Sequence, residues 1–411
     1  MKNITSNMDS VVIIGAGQAG FQVAHSLRQT SYGGKITLIG DEAYMPYQRP
    51  PLSKAYLQGG HDEESLLLRP ADFYIQNNIE IMTGQRVEAV NRSEKYVQFN
   101  SNKLNYTHLV LATGTRVRKL SIAGAELDGV VYIRSLDDAK NIKVRMETAH
   151  NIVVIGGGFI GLEFAAVARK FGKNVTIIEA QSRLMARAVA PLVSEYFREQ
   201  HESHGANLIF NVQVKSIIGE NNTVKYVELA DGYQISADIV VVGIGVISND
   251  ELARDAGLAC NNGIETDESL CTSDPAIYAI GDCACNYNVF ANAKIRVESV
   301  QNAVDQAKHV ASHIMGNQIS YKSVPWFWSD QYDLKLQMVG ISTGFDKAVL
   351  RGSIENNKFS VFYYKQDMLI SIDTVNRGAD HMLGRRLIGQ GLSVPPEIAA
   401  DETVDLKIYL S

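Results

Sequence analysis

The sequence predicts an α/β protein built from two copies of one parallel-sheet unit, followed by a smaller α+β domain, and three observations predict it. First, residues 11–15 (VVIIG) form a short apolar strand, followed by a glycine-rich turn, the helical stretch FQVAHSLRQ and a second strand, KITLIG, at 35–40. That order is a βαβ unit. Second, the same grammar returns at 152–178 as IVVIG, GGGFIG, LEFAAVARKFG and NVTIIE. The period is about 140 residues, too long for a solenoid repeat, so the chain holds two separate units. Third, the pattern changes after about residue 322, where PWFWSDQY opens a run of alternating strands (KAVLRGSI, KFSVFYYK) with one helical piece, ADHMLGRRLIGQG, near the end. The expected division is a discontinuous first domain (1–118 with 246–322), an inserted second domain (119–245) and a third (323–411).

Size and composition agree with this division. A chain of 411 residues exceeds one ordinary core. Its 45% hydrophobic and 20% charged residues are ordinary for a globular protein. The net charge of −6 excludes a general nucleic-acid binder, which needs a basic surface. No segment approaches the ~20 apolar residues of a membrane helix. The longest apolar stretch, IVVVGIGVI at 239–247, carries two glycines and reads as a buried strand. The opening MKNITSNMDS lacks the apolar core of a secretory signal, so the expected location is the cytoplasm. Four cysteines (Cys260, Cys271, Cys283, Cys285) form no C-x-x-C and read as free thiols.

Both turns carry the fingerprint of a Rossmann-like dinucleotide site. In the first, Gly15-x-Gly17-x-x-Gly20 allows the tight turn, a close approach of backbone to pyrophosphate and close helix–strand contact. The helix N-terminus then offers unpaired N–H groups and partial positive charge to the phosphates. An acid is expected about 20 positions on, for a ribose hydroxyl; Asp41 stands there, with Glu42 beside it. In the second, Gly156-x-Gly158-x-x-Gly161 is followed by Glu179 at the end of its strand. A carboxylate there accepts from the adenosine ribose and repels a 2′-phosphate, favouring NADH over NADPH. Arg183 and Arg187 lie just beyond and are read as solvated helix charges able to soften that preference.

The sequence resembles the FAD-dependent ferredoxin reductases that feed bacterial oxygenases, the putidaredoxin-reductase type. The resemblance is carried by GDE-x-x-x-PYQRPPLSK (40–54), LVLATGT (109–115), VVIGGGFIGLEFAA (153–166), AIGDCA (279–284), VESVQNA (297–303), PWFWSDQY (325–332) and SIDTVNRG (371–378). It implies a glutathione-reductase-like fold with FAD on the first unit and NADH on the second. By resemblance, Gly15, Gly17, Ala19, Gly20 and Asp41 hold the ADP half of FAD. Arg49, Lys54, Thr113, Gly114, Arg134, Asp282, Val300 and Trp328 make further FAD contacts. Gly156, Gly158, Ile160, Gly161, Glu163 and Glu179 serve NAD. Lys54, Glu163 and Trp328 are the expected catalytic residues, and no metal site is expected. Lys54 near the flavin stabilises negative charge. Glu163, read as lying on the first turn of the second nucleotide helix, is placed to pair with Lys54 and contact the nicotinamide carboxamide. Gln301 departs from the family pattern, where many relatives have proline.

The protein supplies position and electrostatics to a flavin that takes electrons in pairs and releases them singly. Four scattered cysteines cannot ligate a cluster, so the acceptor is expected to be another protein; the resemblance implies an acidic [2Fe-2S] ferredoxin supplying a terminal oxygenase. Arg69, Lys308 and Lys335 are the candidates for a basic docking patch, and the chain is expected to be a monomer. Two competing readings share the nucleotide motifs. A disulphide or peroxide reductase needs a redox cysteine in the segment AYMPYQRPPLSKAYL, which has none. A slow-turnover NADH-binding flavoprotein with a binding or signalling role, like apoptosis-inducing-factor relatives, is separated from a reductase only by turnover.

Overall fold

The computed structural model describes residues 9–410, which form two compact units. Of the described residues, the first takes those up to 48, 63–116 and 247–327, and the second 49–62, 117–246 and those from 328 on. Two of the cuts lie at 116/117 and 246/247, where the sequence reading put 118/119 and 245/246. Two stretches divide differently from the three-domain expectation. The C-terminal sheet joins the inserted domain in one unit, and so does the loop 49–62 with Arg49 and Lys54.

A five-stranded parallel sheet centres the first unit, in the order Ile277–Ala279, His108–Leu111, Ser10–Ile14, Lys35–Ile39 and Ile79–Met82. Its strands are apolar runs because both faces are covered, one by helices Gln18–Gln29 and Val300–Ile314, the other by the antiparallel strands Ala89–Asn91 and Tyr96–Phe99. Val11, Val12, Ile13, Ile36, Leu38, Leu109, Val110 and Leu111 are at most 1% exposed. Helix Gln18–Gln29 lies against helix Val300–Ile314. The chain leaves the central strand toward one edge and returns later on the other side. That reversal opens a crevice at the carboxyl ends of Ser10–Ile14 and His108–Leu111.

The second unit repeats the plan with the order Asn207–Phe210, Asn174–Glu179, Asn151–Ile155, Ile239–Val242 and Val130–Tyr132. The C-terminal region forms a further five-stranded sheet in the order Trp326–Gln331, Leu334–Gly340, Met368–Val375, Lys358–Lys365 and Lys347–Ser353. The last four strands run antiparallel. Helix Gly378–Gly389 lies on strands Met368–Val375 and Leu334–Gly340 and buries Leu383, Leu387 and Ile388. Among the described residues no helix is long and apolar enough to cross a membrane.

Candidate functional site

Each unit prepares a cradle at the carboxyl end of its central strand. Gly15 and Gly156 both take positive φ, +109° and +105°. A β-carbon on Gly15 would lie 2.1 Å from the Ala112 carbonyl oxygen, and one on Gly156 2.5 Å from that of Gly243. The third glycines bring helix against strand: a β-carbon on Gly20 would lie 1.9 Å from Gly15 O, and on Gly161 2.6 Å from Gly156 O. Gly17 and Gly158 differ. A β-carbon on Gly17 would meet nothing within 4 Å, and one on Gly158 only Gly243 O at 3.9 Å. They head helices Gln18–Gln29 and Phe159–Lys170 with no side-chain cap and no acid in the first turn. Two other long helices are capped, Leu136–Thr148 by the capping box of Ser135 and Val300–Ile314 by Ser299, whereas Pro191–Ser203 and Gly378–Gly389 are not. At the fingerprint helices the missing cap and acid coincide with a glycine turn, an arrangement that suits an anion.

Around the first cradle, Ala19 is buried, and a β-carbon on Gly281 would come 3.1 Å from its methyl. Thr113 and Gly114 follow strand His108–Leu111. Asn249, which the sequence reading missed, pins them: Thr113 Oγ1 donates to Asn249 O (2.6 Å), and Asn249 Nδ2 donates to Thr113 O (2.9 Å). Asp282 stands in the turn after Ile277–Ala279, with Thr115 Oγ1 at 3.5 Å. Val300 opens its helix, and Gln301 Nε2 donates to Asp305 (2.6 Å), so the helix start is formed without the proline. Asp41 is exposed and lies one residue beyond the position that Glu179 holds in the second sheet. By register that position is Gly40, whose β-carbon would meet Ala16 at 2.6 Å.

In the second unit, Glu179 grips the fingerprint loop, accepting from Gly157 N at 2.6 Å and from Gln181 N at 2.7 Å. Ile160, in the first helical turn, is 43% exposed despite being apolar. Arg183 is not a solvated helix charge. It precedes helix Pro191–Ser203, and its guanidinium donates to Val189 O and Ala186 O; Arg187 beside it is exposed. Arg49 donates to Arg134 O at 2.8 Å, beyond the carboxyl end of Val130–Tyr132.

The chemical centre of this unit is a buried ion pair. Lys54 Nζ lies 2.5 Å from Glu163 Oε2, with side chains 16% and 4% exposed. The ammonium also donates to Pro50 O (3.1 Å) and Ser53 Oγ (3.3 Å). Glu163 further accepts from Ser53 Oγ and, on Oε1, from Ser329 Oγ, both at 2.7 Å. Sequence reading placed Glu163 in the first helical turn; the helix begins at Phe159, so Glu163 falls in the second. It is therefore held by its partners rather than by the helix end. Ser53 and Ser329 were missed. Trp328 is half-buried and, by strand alternation, on the face opposite Ser329. The four cysteines are free, and burial pushes every thiol up, Cys260 and Cys271 to about 11, so none is a ready thiolate.

A fold that builds two uncapped anion cradles on two parallel sheets is that of an oxidoreductase working with two dinucleotides, FAD and NADH. Residues 9–307 match the family model described as pyridine nucleotide-disulphide oxidoreductase, and the chain belongs to that family. Residues 326–410 match a reductase C-terminal model. The chain is 46% identical over 404 residues to rhodocoxin reductase of Rhodococcus erythropolis, covering 98% of this chain and 94% of that protein. A ferredoxin reductase structure from Rhodopseudomonas palustris is similar with TM-score 0.96 at 48% identity, over 98% of this chain and all (100%) of that one. The covalent putidaredoxin reductase–putidaredoxin complex is similar with TM-score 0.96 at 40% identity, over 98% and 99%. A binding or signalling flavoprotein is not favoured by these likenesses, all of them to reductases.

Proposed function

We propose that the chain is an NADH-dependent ferredoxin reductase that passes electrons to a [2Fe-2S] carrier. The carrying observation is the buried Lys54–Glu163 pair on the helix whose N-terminus Gly158 leaves uncapped. FAD, when bound, would supply the conversion between the two-electron chemistry of NADH and one-electron acceptors. The protein's part is to bind, orient and exclude water. In the first unit, Gly15, Gly17, Ala19, Gly20 and Asp41 serve the ADP half of FAD, and Thr113, Gly114, Asp282 and Val300 serve the rest. In the second, Gly156, Gly158, Ile160, Gly161 and Glu179 serve NADH; an exposed isoleucine beside open N–H groups suits a site that a ligand covers. Lys54 sets positive charge against the negative charge developing in hydride transfer, and Glu163 fixes that ammonium and accepts from the nicotinamide carboxamide. Arg49, Arg134 and Trp328 are proposed cofactor contacts.

The carrier is acidic, feeds a terminal oxygenase and meets a monomeric reductase in the cytoplasm. Exposed Arg69 and Lys308 and four free thiols support this reading. Steady-state NADH oxidation by purified holoprotein tests it. Fast turnover with ferricyanide and with a [2Fe-2S] ferredoxin, and much slower turnover with NADPH, is expected. Sluggish flavin bleaching by NADH before any acceptor is added would overturn it.

A further inference from the structure

Behind Glu163 runs a chain of buried polar groups that the reaction as described does not use. Ser329 and Gln331 stand two residues apart on strand Trp326–Gln331, so they share one face, and both are fully buried at 0% exposure. Gln331 Nε2 donates to Ser329 Oγ at 3.2 Å, and Gln331 Oε1 lies 2.9 Å from His201 Nε2. Tyr332 OH lies 3.0 Å from His201 Nδ1. His201 itself is 0% exposed, in the last turn of helix Pro191–Ser203.

The donors settle a direction. The amide oxygen of Gln331 only accepts, so His201 carries its proton on Nε2. Its Nδ1 then accepts from the Tyr332 hydroxyl. Gln331 gives an N–H to Ser329, and Ser329 gives its O–H to Glu163 Oε1. Burial pushes the His201 imidazole down to about 4, so the ring stays neutral at physiological pH and keeps this tautomer. Every hydrogen bond runs toward the carboxylate, whose other oxygen holds Lys54 and Ser53. An amide in the middle makes a poor proton conductor. The chain suits alignment, not proton transport.

We propose that His201, Gln331 and Ser329 are positioning residues that act through Glu163, orienting its carboxylate and, through it, the Lys54 ammonium for hydride transfer. This rests on the role given to Glu163 above. A fully satisfied buried network admits one arrangement, and small errors in alignment cost rate steeply.

A double-mutant cycle on the FAD-loaded protein tests it, with three readouts: the flavin-reduction rate at saturating NADH, the calorimetric Kd for NAD+ and the thermal midpoint. His201→Leu is expected to slow reduction by roughly tenfold, His201→Gln, which retains a donor near Nε2, to restore most of it, and His201→Leu to cost no further rate in a Glu163→Gln background. The thermal midpoints should couple in the same non-additive way, while the Kd for NAD+ moves less than the rate. Equal losses in both backgrounds, or a wild-type rate in folded His201→Leu protein, would overturn the proposal. If His201→Leu does not fold, Ser329→Ala with Ser329→Thr as rescue carries the same cycle from the other end. A Glu163→Gln protein as fast as wild type would instead sink the role assigned to Glu163.

Discussion

Asp373 is 2% exposed on strand Met368–Val375, where its carboxyl accepts from the Tyr363 hydroxyl at 2.5 Å. Burial raises its pKa from 3.8 to about 7, the Tyr363 bond opposing. The native state therefore binds this proton more tightly than the unfolded chain, and stability falls as pH rises from about 4 to about 7. His201, pushed down to about 4, acts in the opposite sense, losing stability as pH drops through 6.5 toward 4. Comparing wild type with Asp373→Asn cancels the histidine. The amide stays neutral and still accepts from Tyr363. Thermal midpoints should agree near pH 4 and diverge upward to pH 8, the Asn variant ahead by up to on the order of 4 kcal/mol; parallel curves would exclude the shift. Neither Asp373 nor the chain ending on Glu163 was read from the sequence. Their weak signals are polar residues on apolar faces: Ser329 and Gln331 alternate along a strand, and His201 follows Val193, Tyr196 and Phe197 on one helix face. Lys54 was legible because PYQRPPLSK is a specific string.

At the scale of elements, the difference between the glycines of one turn has a measurable consequence. Gly17 takes φ −87°, ordinary for any residue, and a β-carbon there enters open space over the helix start. Gly17→Ala should fold with wild-type far-UV circular dichroism yet retain little FAD, because the methyl occupies room meant for pyrophosphate. Gly20→Ala should fail earlier, since its methyl meets Gly15 O at 1.9 Å and parts helix from strand. Equal FAD content in Gly17→Ala and wild type would mean that the open N-terminus is not the phosphate site. The βαβ elements were legible because apolar strands and glycine turns are local signals. What stayed hidden was set by tertiary partners: the loop 49–62 belongs with the second unit, Arg183 is spent on backbone carbonyls, and Asp41 falls one step out of register with Glu179. Counting residues to an acid cannot distinguish neighbours on a strand whose side chains alternate.

For the molecule as a whole, the question is how a chain of net charge −6 would receive the acidic carrier proposed for it. Local charge, not the total, steers association at the ~10 Å reach of a field in 0.1 M salt. In the first unit Arg69 and Lys308 are both exposed and both close enough to His25 to depress its pKa, after the larger effect of burial. Arg69 also lies over the rings of Phe21 and Phe73, at 5.9 and 5.7 Å, which limits its motion. Lys335, the third residue of the expected patch, is exposed in the second unit. Lys308 makes the cleaner test, because no aromatic contact is lost with it. Lys308→Glu should raise the KM for a [2Fe-2S] ferredoxin by roughly threefold to tenfold at low salt and flatten its salt dependence, an effect on association rate more than on the bound state. Adding the same change at Lys335 should deepen the loss if both residues meet the carrier, and leave it unchanged if only the first unit does. Flavin reduction by NADH in the absence of carrier should match wild type in both variants, because neither residue lies near the buried pair at Lys54 and Glu163 in sequence or in the hydrogen bonds that hold it. A Lys308→Glu protein with unaltered ferredoxin KM and unaltered salt slope would move the docking surface elsewhere.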